Sequence, residues 1–265
     1  MKQFSFDKMH GAGNDFIVTH DPSCPLDRDS VSWMCDRRFG IGSDGLIVLS
    51  KEPAGIRFQF WNPDGRKAEM CGNGLRCAME YACRHGLAED KFAEFLTDSG
   101  ALSAERLSPG TIRILMPEAT PPEMRSVKGY TCFFTKVGVP HAVVEVENLE
   151  NLDVKRIGSL LRYAEEFSPE GTNVDFVEVL DSDHLKIRTY ERGVEDETLA
   201  CGTGVTASAL FLAKNMDGSK KKYIFCMSGD EITVEFPKNG NILKEIFLTG
   251  PAVTVFSGIY NITQH

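Results

Sequence analysis

The feature that most constrains this 265-residue chain is a Cys-Gly-x-Gly motif that occurs twice. It lies at residues 71–74 and again at residues 201–204, and each copy is followed by a run that favours a helix, over residues 75–85 and 205–215. Glycines let backbone N–H groups approach a ligand closely, and a helix start directs unpaired N–H donors and the positive end of the helix dipole toward it. We expect the same field to lower the pKa of a cysteine at this place and to populate its thiolate.

The residues upstream of the two motifs are also alike. In both copies an aromatic residue at the end of a strand, Trp61 or Tyr190, is followed by polar groups, a glycine turn and an acid, Glu69 or Glu197. A small buried cysteine at a turn would explain one such motif. It does not explain two copies with matched surroundings. The sequence therefore predicts an ancient duplication of one unit, with a site shared between the halves.

The composition is that of an ordinary soluble globular protein, with 42% hydrophobic and 25% charged residues. A net charge of −9 argues against a nucleic-acid or anionic-membrane binder. No apolar stretch reaches the roughly 18 residues needed to span a bilayer, and residues 1–14 lack the apolar core of a signal peptide. We therefore expect no nucleic-acid partner, no membrane association and a cytoplasmic location.

The eight cysteines are spread along the chain, and none forms a Cys-x-x-Cys pair. This distribution predicts thiols and no disulfide framework. Cys71, Cys77 and Cys83 step by six residues, which does not place them on one helical face as zinc ligands. We expect no metal site.

Each half shows many strand patterns and one strongly apolar helix, so the strands should wrap around that helix. The pattern predicts the α+β class, with two similar domains facing each other across a cleft. The proline-rich residues 117–123 are the best candidate for a linker between domains of residues 1–117 and 118–251. A last strand within residues 252–265 has no mate in the second half and is expected to return to the first.

Three local predictions are specific enough to check. A helix over residues 29–38 should have Asp29 or Ser30 as its N-cap. The turn at residues 10–14 should hold Asn14 in a left-handed conformation. An amide precedes an Asp-Phe strand near Asn14 and again near Asn173, so each half has such an amide as well as a cysteine at a helix start.

Two cysteines at equivalent places in two halves suggest a chemistry that one cysteine cannot perform. If both face one cleft, a thiolate can take a proton from one side of a carbon while a thiol donates a proton on the other. This is a racemase or epimerase that needs no cofactor. The carbanion formed beside a carboxylate needs preorganised donors, which the two helix N-termini would supply.

Four segments of the sequence closely resemble the signatures of the diaminopimelate epimerase family. They are residues 9–16, 70–77, 190–193 and 200–204, and the resemblance extends over residues 4–262. It implies two pseudosymmetric domains, each a mostly antiparallel strand barrel wrapped around a central helix. It also implies interconversion of LL- and meso-2,6-diaminopimelate, on the route to lysine and peptidoglycan, by a homodimer.

The resemblance also implies roles for individual residues. It makes Cys71 and Cys201 the acid/base pair, with His141 and Glu191 tuning the thiols. The residues implied to bind substrate are Asn14, Asn62, Gly72, Asn73, Asn173, Glu191, Arg192, Gly202 and Thr203. Arg192 suits a carboxylate, because a guanidinium can pair with it through two parallel hydrogen bonds.

The sequence departs from the family pattern at two positions. Gly45 stands where other members have glutamine, and Val139 stands where others have asparagine before Pro-His. Each departure could remove one polar contact to the substrate.

Three other functions remain open at this stage. A racemase of the same fold could act on proline, hydroxyproline or histidine, although proline racemases typically have histidine where Asn73 stands. The chain could be a binding protein that has lost catalysis, which the presence of both Cys71 and Cys201 opposes. It could also be a thiol redox protein, if the two thiols lie close enough to oxidise.

Overall fold

The computed structural model describes residues 2–68, 70–89, 91–215, 220–237 and 241–262. The chain divides into two compact units: unit 1 is Met1–Ile114 with Gly250–His265, and unit 2 is Leu115–Thr249. Each unit combines helices with a predominantly antiparallel sheet. The predicted α+β class is confirmed.

The elements of unit 1 are two helices and nine strands among its described residues. The helices are α1 (Arg28–Cys35) and α2 (Gly72–Arg84). The strands are β1 (Gln3–Gly11), β2 (Asn14–Thr19), β3 (Leu46–Glu52), β4 (Gly55–Trp61), β5 (Lys67–Ala68), β6 (Phe92–Thr97), β7 (Gly100–Ser108), β8 (Thr111–Leu115) and, at the end of the chain, β18 (Val253–Asn261); β17 (Phe247–Pro251) ends at the boundary between the units.

Unit 2 is built from the same kinds of element. Its helices are α3 (Val154–Arg162) and α4 (Gly202–Asn215), with a short 3-10 helix over Glu165–Phe167. Its strands, besides β17, are β9 (Glu123–Val127), β10 (Tyr130–Val137), β11 (Val139–Glu145), β12 (Asn173–Val179), β13 (His184–Glu191), β14 (Asp196–Thr198), β15 (Lys221–Phe225) and β16 (Glu231–Glu235).

The strands of the two units have the same order and the same directions. In unit 1 the order is β18-β1-β2-β3-β4-β6-β7-β8, and only β2–β3 and β4–β6 pair in parallel among the described strands. In unit 2 the order is β9-β10-β11-β12-β13-β15-β16-β17, with parallel pairs at the matching places, β11–β12 and β13–β15. The short β5 and β14 extend β4 and β13 in the same way. The predicted pseudosymmetry is therefore present in the topology.

One helix of each unit is enclosed by its sheet. Helix α2 lies against β1, β2, β3 and β7, and α4 lies against β10 to β13, β15 and β16. A helix that contacts strands near both ends of the strand order requires the sheet to wrap around it. Every residue from 73 to 82 in α2 is buried, and so is every residue from 204 to 212 in α4. Both helices are buried around most of their circumference, as their apolar sequences predict.

Helix α1 differs from its prediction at both ends. Its N-cap is Asp27, whose carboxylate accepts the Ser30 N–H at 3.0 Å, so neither Asp29 nor Ser30 is the cap. The helix ends at Cys35 because the Asp36 carboxylate accepts backbone N–H groups from the two positions beyond Arg37 and turns the chain. Residues 36–38 are therefore not helical.

The left-handed conformation predicted for Asn14 is also wrong. The β1–β2 turn places Ala12 (φ 54°) and Gly13 (φ 85°) in the left-handed region, while Asn14 is already a strand residue paired with Gly11. Asn14 begins the second strand of unit 1, whereas Asn173 begins the third strand of the unit 2 series that starts at β10. The counterpart of β12 is β3, so the similar residues around the two asparagines do not mark equivalent strands.

The last strand returns to the first half, as predicted. β18 pairs antiparallel with β1, from Gln3 opposite Asn261 to His10 opposite Val253. The remainder of the predicted segment, residues 263–265, lies outside the described residues. No helix within the described part of the chain is long and apolar enough to cross a membrane.

Candidate active site

Each motif cysteine lies immediately before the enclosed helix of its unit. The carbonyl of Cys71 accepts the Leu75 N–H at 2.8 Å, and the carbonyl of Cys201 accepts the Val205 N–H at 2.8 Å. Both cysteines are thus at the N-cap position, and the helices begin three residues earlier than the sequence predicted. Residues 72–74 and 202–204 form the two first turns, whose N–H groups have no acceptor within the helix.

The second glycine of each motif shows what packs against each first turn. A Cβ atom at Gly204 would lie 2.3 Å from Asp175 Oδ1, whereas one at Gly74 would lie 3.0 Å from Ile47 Cδ1. The two first turns therefore have different neighbours. A carboxylate lies against the turn in unit 2, and an apolar side chain lies against the turn in unit 1.

In unit 1 the structure brings together Asn14, Cys71 and Asn73. The Asn14 Oδ1 atom lies 3.7 Å from the Cys71 sulfur and accepts a hydrogen bond from Asn73 Nδ2 at 3.2 Å. The other end of this amide, Asn14 Nδ2, donates to Asp44 Oδ2 at 2.9 Å. Because a carboxylate only accepts, Asp44 determines which end of the Asn14 amide faces the sulfur.

A charged network supports this corner of unit 1. Asp15 accepts from Lys8 Nζ at 2.6 Å and from both terminal nitrogens of Arg37, which also donates to Asp44. Lys8 donates as well to the Gly42 carbonyl. Burial alone would raise the pKa of Asp15, but the hydrogen bonds from Arg37 and Lys8 outweigh it and hold the pKa well below its usual range. The loop that carries Asp44 is therefore held by ionic hydrogen bonds.

Two predicted positions of unit 1 do not join this cluster. Asn62 is exposed, and its backbone closes the turn after β4 by bonding with Arg66 and Gly65. No hydrogen bond within the described residues links its side chain to Asn14 or Cys71. Glu69, the acid predicted just before Cys71, lies outside the described residues.

Gly45, one of the two positions expected to depart from the family pattern, is enclosed by its neighbours. A Cβ atom there would lie 2.5 Å from the Phe60 ring and 2.6 Å from the Trp61 carbonyl oxygen. Any side chain at this position would require strand β4 to move. The packing of this unit therefore requires glycine at position 45.

Unit 2 contains a hydrogen-bonded group of His141, Asp175 and Asn173, and the charge of Asp175 acts on Cys201. His141 and Asp175 are both completely buried, with His141 Nδ1 2.7 Å from Asp175 Oδ2. The other ring nitrogen, Nε2, lies 3.5 Å from Asn173 Nδ2. Thr189 donates to the second Asp175 oxygen at 2.8 Å.

Glu191 and Arg192 lie at the end of β13, next to this group. The backbone N–H of Arg192 donates to Asn173 Oδ1 at 2.7 Å, and its guanidinium donates to the Glu170 carbonyl at 3.2 Å. Burial raises the pKa of Glu191, while a hydrogen bond with Thr198 acts in the opposite direction. Glu191 therefore takes up a proton more readily than an exposed carboxyl group.

The structure contradicts the expectation that the helix start lowers the pKa of Cys201. Burial of the thiol raises its pKa well above the usual value, and the negative charges of Glu191 and Asp175 add to the effect. Hydrogen bonds with Thr203 and the Gly204 N–H act in the opposite direction but do not compensate. Cys201 is therefore a thiol in the resting protein.

The predicted residues therefore form one group in each unit. Unit 1 joins Asn14, Cys71, Gly72 and Asn73, and unit 2 joins His141, Asn173, Glu191, Arg192, Cys201, Gly202 and Thr203. Asp44 and Asp175 were not predicted. Asp175 had one sequence signal, since it is a charge between the apolar residues Val174 and Phe176. The eight cysteines, all within the described residues, form no disulfide bond.

Comparison with known sequences decides the family. The sequence model of diaminopimelate epimerase matches residues 6–120 and 133–255. The chain belongs to the diaminopimelate epimerase family. It is 40% identical to the diaminopimelate epimerase of Aquifex aeolicus over 96% of both chains, and 40% identical to that of Chlorobaculum tepidum over 94% of this chain and 98% of the relative. This member of the diaminopimelate epimerase family is an isomerase.

Solved structures with low sequence identity share the fold of this diaminopimelate epimerase family member. A phenazine biosynthesis protein of the PhzF family from Bacillus anthracis matches with a TM-score of 0.72 at 16% identity, over 99% of this chain and all of the other. A hydroxyproline epimerase from Agrobacterium vitis, with bound trans-4-hydroxy-L-proline, matches with a TM-score of 0.69 at 16% identity, over 98% and 91% of the chains. These likenesses concern the fold alone.

Proposed function

We propose that the chain interconverts LL- and meso-2,6-diaminopimelate, with Cys71 and Cys201 acting on opposite faces of one α-carbon. The observation that carries the proposal is the matched placement of the two cysteines, each at the N-cap of the enclosed helix of its unit, in a chain of this family. A site with two acid/base groups can invert a stereocentre without moving the substrate. The proposed reaction uses no cofactor and no metal.

In the proposed cycle, one sulfur is a thiolate and removes the α-proton, while the other is a thiol and delivers its own proton to the opposite face. The C–H bond breaks toward the thiolate, and the electron pair rests beside the carboxylate until the new C–H bond forms. The thiolate ends as a thiol and the thiol ends as a thiolate, so the return reaction begins from the opposite protonation. The first-turn N–H groups around Gly72 and Gly202 stabilise the charge that develops on the carboxylate.

Cys201 holds its proton before substrate binds, because burial raises the pKa of its thiol. For Cys201 to act as the base, that proton must move first. We infer that Glu191 accepts it from Cys201, since its carboxylate is the charge that acts most strongly on that sulfur and burial has raised its own pKa.

The remaining predicted residues would bind the substrate. Arg192 would pair with a carboxylate, and Thr203 would add a hydroxyl beside the first turn of unit 2. Amide groups would hold the ammonium and carboxylate groups: Asn14, Asn62, Asn73 and Asn173. Diaminopimelate has a second amino-acid end, and this number of polar side chains suits it better than proline.

We further propose a cytoplasmic homodimer that serves lysine and peptidoglycan synthesis. Support for the dimer comes from β18, which pairs with β1 along one edge and exposes apolar side chains. Val255 is 57% exposed, Phe256 48% and Ile259 68%. An exposed apolar edge strand of nine residues is a typical site of association.

The test is α-proton exchange in deuterated water under reducing conditions, with LL- and meso-diaminopimelate as substrates. Wild type should interconvert the isomers and incorporate deuterium. Cys71→Ser and Cys201→Ser should each lose at least roughly a thousandfold in rate, because serine is a far weaker acid and base at this pH. Cys132→Ser, a buried cysteine outside both groups, is the matched control and should retain wild-type exchange.

Other outcomes would contradict specific parts of the proposal. If proline or histidine exchanges and diaminopimelate does not, the substrate is wrong while the thiol pair stands. If one cysteine variant retains full exchange, the two-thiol mechanism is wrong. If no substrate exchanges under reducing conditions, the catalytic proposal fails.

A further inference from the structure

Asp175 is a buried carboxylate for which the proposed reaction has no direct use. Its side chain is completely buried, and both of its oxygens accept hydrogen bonds, from Thr189 at 2.8 Å and from His141 at 2.7 Å. Its Oδ1 atom also lies so close to the first turn of α4 that only glycine fits at position 204. A buried charge is costly unless it is needed, so its contacts show what it does.

The donor and the acceptor can be assigned for each hydrogen bond that links Asp175, His141, Asn173 and Arg192. A carboxylate can only accept, so His141 Nδ1 must carry the hydrogen that points to Asp175. At the far end of the chain of bonds, the Arg192 backbone N–H can only donate, so the atom of Asn173 that it meets at 2.7 Å must be the oxygen. The Asn173 amide therefore presents its NH₂ group to Pro140 and to His141 Nε2.

These two fixed ends determine the state of the histidine between them. His141 Nε2 meets an NH₂ donor at 3.5 Å and must itself be an acceptor. An imidazolium would place two donors face to face at this point. If the Asn173 amide were rotated by 180°, its NH₂ group would face the Arg192 N–H, and two donors would meet there instead. The neutral imidazole with its hydrogen on Nδ1 is the form that satisfies every bond.

We propose that Asp175 is a positioning residue that sets the His141 tautomer and, through it, the orientation of the Asn173 amide and of the strand end that carries Glu191 and Arg192. The inference rests on the proposed function, since it names what holds those residues in place. Asp175 does not touch the substrate in this proposal. It acts by being the obligatory acceptor at the start of the chain of bonds.

The direct test is the nitrogen spectrum of His141 in the full-length protein. The chain has six histidines, few enough for long-range proton–nitrogen spectra of protein labelled with ¹⁵N-histidine, with a His141→Gln variant to assign the signal. We expect wild-type His141 to be the neutral form protonated on Nδ1 at pH 7. An imidazolium, or a neutral ring protonated on Nε2, would overturn the proposal.

Two substitutions separate the acceptor from simple packing. Asp175→Leu keeps the branched arrangement of heavy atoms but has no acceptor, so His141 should lose the Nδ1 hydrogen preference and kcat/KM should fall on the order of 100-fold. Asp175→Asn keeps an acceptor oxygen, because the Thr189 hydroxyl can accept from its NH₂ group. It should retain the wild-type tautomer and at least tenfold more activity than Asp175→Leu.

Two control variants accompany these substitutions, one at a buried partner of Asp175 and one at an exposed residue of the same unit. Thr189→Val removes one bond to Asp175 but leaves the acceptor of His141, so the tautomer should persist; it also serves if Asp175→Leu does not fold. Asp181 and His184 form an exposed pair in the same unit, with Oδ1 to Nδ1 at 2.8 Å. Asp181→Asn should leave the His141 signal and kcat/KM unchanged.

Failure of this inference is distinguishable from failure of the proposed function. If wild type exchanges the α-proton of diaminopimelate but Asp175→Leu keeps both the tautomer and kcat/KM within twofold, the positioning role is wrong and the function stands. If wild type does not exchange diaminopimelate, the function is wrong, while the His141 spectrum still tests what Asp175 does.

Discussion

Asp44 is partly exposed and fixes the orientation of the Asn14 side-chain amide. It accepts from Asn14 Nδ2 at 2.9 Å and from the Asp15 backbone N–H at 3.2 Å. The amide can then offer only its oxygen to Cys71 and to Asn73. A residue that does not touch the cysteine thus determines which dipole the cysteine meets.

We therefore expect Asp44→Ala to lower kcat/KM by about tenfold with little loss of stability. Without Asp44 the amide is free to turn over, and each misplaced hydrogen bond costs about 1 to 1.5 kcal/mol, which corresponds to a factor of about ten. Steady-state kinetics and a thermal melt measure the two effects.

The matched control is Asp21→Ala, in the same unit. Asp21 also accepts a backbone N–H, from Ser5 at 3.0 Å, but has no contact with the group around Cys71. It should affect the melting temperature and leave kcat/KM unchanged. Equal kinetic losses in both variants would show that Asp44 has no specific effect on Asn14.

The first turns of α2 and α4 have the same sequence pattern but tolerate different substitutions. At Gly204 an added methyl group would meet the Asp175 carboxylate, which Thr189 and His141 hold in place. At Gly74 it would meet the tip of the Ile47 side chain at 3.0 Å, which needs to shift by only a few tenths of an ångström.

Gly204→Ala should therefore lose far more stability and activity than Gly74→Ala. Overpacking of a rigid site costs roughly 1 to 3 kcal/mol, and displacement of Asp175 should also lower kcat/KM by at least about tenfold. The loss of activity in Gly74→Ala should be at least about fivefold smaller, because alanine favours the helix by about 1 kcal/mol and meets only the end of the Ile47 side chain. Melting temperatures and exchange rates measured in parallel test the difference, and equal losses would contradict it.

The sequence predicted the elements whose pattern is local, and it missed those that depend on distant neighbours. The alternation in β1 and the apolar circumference of α2 reflect burial within one element, so both could be predicted. The strands β5 and β14 have two and three residues, too few to show any period. The N-cap of α1 was misplaced by two or three residues, because Asp27, Asp29 and Ser30 are all good capping residues.

In the candidate site, too, local features were predicted from the sequence and contacts between distant residues were missed. The two cysteines were found because the motif is repeated, which needs no structure. The partnership of His141 with Asp175 spans 34 residues and could not be found from spacing. The pKa of Cys201 was predicted in the wrong direction, because the helix start is visible in the sequence and the burial of the thiol is not.

At the scale of the whole molecule, the two units share a topology but not a distribution of charge. Position for position, the strand pairings match. Against the first turn of the enclosed helix, however, unit 1 has Ile47 and unit 2 has Asp175. The duplicated fold places the two cysteines in similar positions. Their different neighbours allow the two thiols to differ in acidity. In the proposed reaction, one sulfur must hold a proton while the other accepts one.

The association of two chains is the last property to test, and β18 offers a specific variant. Ile259 is 68% exposed on this strand, and burying it against a second copy would be favourable, whereas a carboxylate there would be buried without a partner. We expect wild type to sediment with a mass of 58.8 kDa, twice the chain mass of 29.4 kDa, and Ile259→Glu to sediment with the mass of one chain. Met124→Glu, at a residue that is 60% exposed on β9, should remain dimeric. A monomeric wild type would contradict the dimer, and a dimeric Ile259→Glu beside a monomeric Met124→Glu would move the interface from β18 to β9.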